Sequence, residues 1–279
     1  MRAELSAKRD AFLHQIGTRP LVMGILNVTP DSFYDGGQHV GIDVAVARAK
    51  QMVADGCDIV DVGGESTRPG ATPVSAADEM TRVEPVLAGL AAIVEAPVSI
   101  DTYKSDVAAR AIDLGAVLIN DVWGLQRDPA MADVVAESEA AVVIMHNRAE
   151  KDAEIDILAD IHRYFERSLT LAAKAGIRKE RIILDPGIGF AKTSHQNRDV
   201  VARLAELKRH GLPIMIGASR KAFLGRLSDG TEGSLIGSIA VNLAAASNGA
   251  SLFRVHDVAE QVAALKIFHT VCSGMGQTP

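Results

Sequence analysis

Short apolar runs, many of them rich in Val and Ile, recur along the chain at 21–26, 58–62, 97–101, 116–120, 141–145, 181–185, 213–217 and 251–255. Longer Ala-, Glu-, Lys- and Arg-rich segments separate them. That rhythm is the signature of βα units around a parallel sheet whose strands are buried on both faces. Eight such units predict an α/β protein with a closed (β/α)8 TIM barrel. Helices are expected over 42–55, 76–94, 155–175, 197–209 and 231–248. In the last of these, Leu235, Ile239, Leu243 and Ala246 recur at helical spacing and are expected to face the barrel. A doubly wound open sheet is the competing architecture, but its Gly-rich turn directly after the first strand is absent. Gly63-Gly64 and Gly187-Ile188-Gly189 are too sparse to supply it.

No Pro/Ser-rich linker and no shift of composition divides the chain, so one domain is expected. Residues 1–19 read as an N-terminal extension packing under or beside the barrel, 20–272 as the barrel, and 273–279 as a C-terminal tail. Charge narrows the partners. Lys and Arg total 29 against 35 Asp and Glu, a net charge of −6 with no basic cluster, which argues against a nucleic-acid partner. Cys57 and Cys272 lack the spacing of a disulfide framework or a zinc knuckle and fit a reducing compartment. The charged N-terminus does not read as a signal peptide, and no apolar run approaches the ~20 residues that span a bilayer, so no membrane partner and a cytoplasmic location are expected.

In such barrels the chemistry sits at the C-terminal ends of the strands. Collecting the residues there yields Asn27, then Asp61 and Glu65 to Arg68, then Asp101, Asn120, Asp121, His146 and Asp185. The last two strands add Ser219, Arg220, Lys221, Arg254 and His256. Carboxylates and amides pair with the edge of a nitrogen heterocycle, while cations and imidazole suit phosphate. The mixture points to a heterocyclic substrate with an anionic leaving group. Each residue has a plain structural alternative: Asp101 and Asp257 can cap helices, and Asp185-Pro186-Gly187 can be a turn. His14, His39, His162, His195, His210 and His269 are expected at the surface or in packing. Joint occurrence on successive strand ends favours the site. With no His-x-x-x-His or Cys-x-x-Cys, a tightly held zinc is disfavoured. Mg²⁺ needs only one or two protein oxygens beside substrate phosphates, and Asn27 can offer one.

Seven motifs, Met23-Gly-Ile-Leu-Asn-Val-Thr-Pro-Asp-Ser-Phe33, Asp61-Val-Gly-Gly-Glu-Ser-Thr-Arg-Pro-Gly70, Ser99-Ile-Asp-Thr-Tyr-Lys104, Asn120-Asp-Val122, Leu184-Asp-Pro-Gly-Ile-Gly-Phe190, Ser219-Arg-Lys221 and Arg254-Val-His256, together resemble the dihydropteroate synthase family of folate biosynthesis. The resemblance implies a barrel that condenses 6-hydroxymethyl-7,8-dihydropterin diphosphate with 4-aminobenzoate, giving 7,8-dihydropteroate and diphosphate. It implies Asp101, Asn120, Asp185 and Lys221 at the pterin, and Asn27, Arg254 and His256 at the diphosphate, with Asn27 the ligand of Mg²⁺. It implies Thr67, Arg68, Pro69, Phe190, Ser219 and Lys221 at the aminobenzoate. Asp31 or Asp35 of the first loop would face a transient cation, which gives a catalytic set of Asn27, Asp35, Lys221, Arg254 and His256. Sulfonamides are the implied inhibitors and a homodimer the implied assembly, with 235–250 and 257–271 as contact faces.

This chain departs from the family pattern at the loop after the fifth strand, Met145 to Lys151, at Ala191 where glycine is usual, and near Ser234 where arginine is frequent. A methyltetrahydrofolate-dependent methyltransferase is the nearest rival, although it gives no reason for the two cationic motifs. A non-catalytic pterin-binding paralogue is the rival from another class.

Overall fold

The computed structural model describes residues 3–28, 38–66, 72–91, 93–225 and 234–274. After helix α1 (Ala3–Gln15), strands and helices alternate: β1 (Leu21–Asn27), α2 (Gln38–Ala54), β2 (Ile59–Gly63), α3 (Ala76–Ala91), β3 (Val98–Asp101), α4 (Ser105–Asp113), β4 (Leu118–Asp121) and α5 (Met131–Ser138). The second half continues with β5 (Ala141–Met145), α6 (Ile157–Ala175), β6 (Ile182–Asp185), α7 (Ser194–Ala202), β7 (Met215–Ile216), α8 (Leu235–Ser247), β8 (Leu252–Val255) and α9 (Val258–Gly274). The strands are parallel and ordered β6-β5-β4-β3-β2-β1-β8-β7. A bridge between Leu184 and Ile214 joins the two ends, so the sheet closes into the barrel that the rhythm predicts.

Alternation along each strand divides the core in two. Val22, Val60, Ile100, Ile119, Val142, Leu184, Ile216 and Phe253 point outward and pack under the helices. Leu21, Met23, Ile59, Leu118, Val143, Ile183, Met215 and Leu252 point inward and fill the lower barrel. Phe12 of α1 joins this inner cluster, so α1 plugs the N-terminal mouth. Removing that ring would leave a cavity costing about 3–5 kcal/mol.

Local signals account for the bounds. A capping box between Thr193 and Gln196 starts α7 three residues before the expected 197, and the segment continues after Ala202 as a tighter turn, Leu204–His210. Strand β7 is shorter than its apolar run because Pro213 has no N–H to give; its carbonyl accepts from Leu184 N at 2.9 Å. In α8 the expected stripe is corrected in part: Leu243 and Ala246 do pack against the core, but the most buried positions are others. Ser238, Asn242 and Ala245 are the buried positions, whereas Leu235, Ile239, Leu243 and Ala246 flank them half-buried. Polar groups occupy that face because they have partners: Ser238 Oγ donates to the Ser234 carbonyl and accepts from Arg220 N, and Asn242 donates to Gln261. Residues 273 and 274, expected in the tail, are the last of α9, and 275–279 lie outside the described residues. Among the described residues no helix is long and apolar enough to cross a membrane.

Candidate active site

Above the apolar layer the inward positions turn polar. Asp61, Asn120, Asp185 and Arg254 each stand two residues beyond an inward apolar residue of the same strand, and Asp101 pairs in register with Asn120 on the neighbouring strand, so the pleat aims them at one another. Asn120 Nδ2 donates to Asp61 Oδ2 at 3.1 Å. Arg254 Nε donates to the same oxygen at 2.7 Å, and its Nη2 donates to Asp101 Oδ2 at 2.6 Å. The strand residues of opposite parity have other work: the Asp121 carboxylate accepts from the backbone N–H groups of Trp123 and Leu125 and shapes a turn.

Asp101, Asn120, Asp185, Lys221 and Arg254 line one pocket, walled by Val122, Met145, Ile188, Phe190 and Gly217. Polar groups along one side and apolar walls elsewhere suit a flat heterocycle. Gly217 lies between two of the polar groups, for a Cβ there would stand in ordinary contact, 3.9 Å from both Asp185 Oδ2 and Arg254 Cβ. Among the described residues, Asp101 Oδ1 and Asn120 Oδ1 are buried acceptors without a hydrogen-bond donor, which is the complement of a ligand edge rich in N–H groups.

Burial sets the electrostatics. It raises Asp101, against the pull of Arg254, and lifts Asp185 to about 6 against the Gly187 N–H and the cations of Lys192, Lys221 and Arg254. Burial also opposes the Arg254 charge, but Asp101 and Asp61 outweigh it and hold the guanidinium protonated.

The segments after β7 and β8 build the rim. Ser219 Oγ accepts the His256 backbone N–H at 3.2 Å and lies 3.0 Å from His256 Nδ1. A hydroxyl already accepting one N–H is best placed to donate its own proton to Nδ1, which leaves the proton of a neutral imidazole on Nε2. Burial, with Arg254 and Arg220 nearby, lowers His256 to about 4 and keeps it neutral. Lys221 Nζ sits 4.3 Å from the Phe190 ring centroid. Arg220 has a left-handed backbone (φ 55°) that turns its side chain out to Asp257, at 3.1 Å from Nε. Asp257 stands immediately before α9, the place of a cap, and spends its carboxylate on Arg220.

Asn27 ends β1 beside Gly63 and Asp101, with Oδ1 3.9 Å from where a Gly63 Cβ would stand. Its single neutral oxygen fits a hard cation delivered on phosphate oxygens, and among the described residues no cluster of three or more His, Cys, Asp or Glu could hold a metal unaided. Glu65 binds Lys104 and Tyr103, and Lys104 also binds the buried Glu79, so these residues brace the turn after β2. Asp31, Asp35, Thr67, Arg68 and Pro69 lie outside the described residues.

The structure therefore brings Asp101, Asn120, Asp185, Phe190, Lys221 and Arg254 to one pocket, with Ser219 and His256 paired on the rim. His146 is not among them: it points away from the barrel axis, fully buried, toward Lys192 and Asp160. Lys192, which follows Ala191 in a stretch similar to the family pattern, is given no role by collecting strand ends, because it lies seven residues beyond β6. The wall residues Met145 and Gly217 follow from the same alternation as the polar ones once the strand register is known.

A family model described as pterin binding enzyme matches residues 23–256. A dihydropteroate synthase of Bacillus subtilis is 46% identical over 241 residues, which are 86% of this chain and 84% of that protein. Among solved structures, dihydropteroate synthase of Xanthomonas albilineans with 4-aminobenzoic acid superposes with a TM-score of 0.87 at 42% identity, covering 94% of each chain. The Yersinia pestis dihydropteroate synthase in a sulfonamide drug complex superposes with a TM-score of 0.85 at 40% identity, covering 92% of this chain and 95% of the other.

Proposed function

The chain belongs to the pterin binding enzymes, among the dihydropteroate synthases, and on that footing we propose how its residues divide the work. The enzyme condenses 6-hydroxymethyl-7,8-dihydropterin diphosphate with 4-aminobenzoate, releasing diphosphate and 7,8-dihydropteroate. The observation that carries this reading is the inward row of acceptors, with Asp101 Oδ1 and Asn120 Oδ1 buried and awaiting donors beside Asp185.

Asp185 takes the amino and ring N–H groups of the pterin, Asn120 and Asp101 take the adjoining positions, and Lys221 donates to a ring acceptor. Arg254 and the Nε2–H of His256 hold the diphosphate and lower the barrier by stabilising charge as it leaves. Asn27 would hold a Mg²⁺ beside the diphosphate, and the ion when bound would supply further charge neutralisation to the leaving group. The methylene left behind is electrophilic, Asp35 is assigned the role of stabilising its positive charge, and the arylamine attacks without a strong base. Phe190 and Lys221 receive the aminobenzoate ring, while Ser219, Thr67, Arg68 and Pro69 receive its carboxylate side, where a sulfonamide would compete.

One barrel with residues 1–19 as its extension carries the whole site, in the cytoplasm and as a homodimer. Ile267 and Val271, one turn apart on α9 and 66% and 60% exposed, offer an apolar face for pairing. Mixing purified protein with the pterin diphosphate and Mg²⁺, with and without 4-aminobenzoate, tests the reaction. With the amine, both products must appear one to one; without it, diphosphate should be released slowly. Binding without product would make the chain a non-catalytic relative, and strict dependence of diphosphate release on the amine would overturn departure before attack.

A further inference from the structure

The segment from β6 to α7 carries Asp185 at its root and the pocket walls Ile188 and Phe190, and its backbone runs repeatedly through the left-handed region. Gly187, Gly189 and Ala191 all have positive φ, at 70°, 83° and 43°. Such a course persists only when its surroundings hold it. Gly187 N donates to Asp185 Oδ1 and Gly189 N to Asn197 Oδ1, both at 2.7 Å. The largest restraint comes from Lys192, which is 3% exposed and folds back beneath the loop. Its Nζ donates to the carbonyls of Gly187 at 2.8 Å and Phe190 at 3.2 Å, and lies 2.9 Å from His146 Nδ1.

Three acceptors around one ammonium match its three protons, and only the charged form has three. His146 can accept because its other nitrogen is held 3.1 Å from Asp160 Oδ2, and Asp160 in turn accepts from Arg148 Nη1 at 2.6 Å. A buried cation is costly, and an apolar side chain would fill the same space without that cost. Its presence calls for a job that only a three-way donor can do.

We propose that Lys192 is a positioning residue for both substrates: through the Gly187 and Phe190 carbonyls it fixes the Asp185 turn and the Phe190 ring, with His146 and Asp160 fixing Lys192. The proposal rests on the assignment of the pterin and aminobenzoate to this pocket. Lys192 sits beneath the loop, so it acts through the carbonyls it holds and the positive charge it places near Asp185.

The test compares the unaltered protein with Lys192→Met, His146→Gln and His146→Leu. In Lys192→Met, amide hydrogen exchange should accelerate about tenfold or more at residues 187–190 while the strands of the barrel stay protected. KM for both substrates should rise about tenfold, with kcat changing less, since the loss is of alignment and not of a reacting group. A pH series adds a readout that packing alone would not move. Burial pulls Lys192 down to about 7, Asp185 and Asp160 pull it up, and Arg148 and Lys221 pull it down. Raising the pH through that value removes one of the three donors, so KM of the unaltered protein should climb, and the climb should vanish in Lys192→Met.

If Lys192→Met does not fold, the other pair decides: His146→Gln, which keeps an acceptor and a donor, should behave as the parent, and His146→Leu should reproduce the exchange and KM changes. Unchanged exchange at 187–190 with both KM values within about twofold of the parent would overturn the proposal. An unaltered protein that makes no dihydropteroate would instead sink the substrate assignment and leave the exchange result standing.

Discussion

Arg254 and Asp101 form an ion pair within the barrel, Nη2 to Oδ2 at 2.6 Å, so the residue assigned to the diphosphate is also the counterion of one assigned to the pterin. The two halves of the first substrate are read by one linked set of charges, with Asp61 as the joint between Arg254 and Asn120.

Removing the guanidinium should therefore harm fold and chemistry together. In Arg254→Met, Asp61 and Asp101 keep their burial and lose their cation, which costs about 3 kcal/mol. Denaturant titration should show this loss, and turnover should fall by about a hundredfold or more. Arg254→Lys should restore part of the stability and little of the turnover, because one ammonium cannot span both carboxylates as the guanidinium fork does.

The pH dependence of pterin affinity has a defined sign on its acidic side. Asp185 is lifted to about 6 by burial, above its ordinary 3.8. Below that value it gains a proton and ceases to accept from the pterin N–H groups, so Kd for the pterin diphosphate should rise as pH falls through 6. Stability moves the other way. Between 3.8 and 6 the folded chain binds the proton that the unfolded chain has lost, so this group's contribution is full below 3.8 and is lost as pH rises through 6. Asp185→Asn should thus gain about 2 kcal/mol at neutral pH while losing pterin binding, a trade that thermal melts and calorimetric titration would both register.

Ser219→Ala should reach both substrates. It takes away the hydroxyl assigned to the aminobenzoate carboxylate and the hydrogen bond that holds His256 as an Nε2–H donor. KM for 4-aminobenzoate should rise about tenfold, and that for the pterin diphosphate by about threefold, as expected for losing one hydrogen bond and loosening another. Initial-rate kinetics with each substrate varied in turn would show the split; an unchanged pterin KM would break the Ser219 and His256 pairing as a functional unit.

Ala191 occupies a left-handed backbone, φ 43°, where the family usually has glycine. Ala191→Gly should relieve that conformation and stabilise the fold by about 1 kcal/mol, partly offset by the greater freedom of glycine when unfolded. A rise of a few degrees in Tm with unaltered KM is the expected outcome for a domain of this size.

What the sequence could and could not tell follows from the physics of strands. The eight apolar runs were legible because each is buried on both faces, and the polar residues that end them were legible because nothing else in a buried strand tolerates them. Alternation even sorts Asn120, which enters the pocket, from Asp121, which caps a turn. Relations across the closed barrel were not legible. Asp61 meets Arg254 only because β8 returns to lie beside β1, a contact separated by 193 residues. The stripe of α8 was legible only at Leu243 and Ala246, because hydrophobic spacing cannot anticipate Ser238 and Asn242, which are buried through partners supplied by other segments. Lys192 escaped for the same reason: its burial is explained by carbonyls and an imidazole brought to it by the fold.

Lys221 bears on both substrates at once, lining the pocket with Asp185 and standing over Phe190. The most direct measurement is the steady-state rate of dihydropteroate formation by the unaltered protein and by Lys221→Ala, with each substrate varied. The unaltered protein should form dihydropteroate and diphosphate in equal amounts, and Lys221→Ala should raise both KM values about tenfold or more. A protein that makes no dihydropteroate, or a Lys221→Ala variant with both KM values unchanged, would contradict the account.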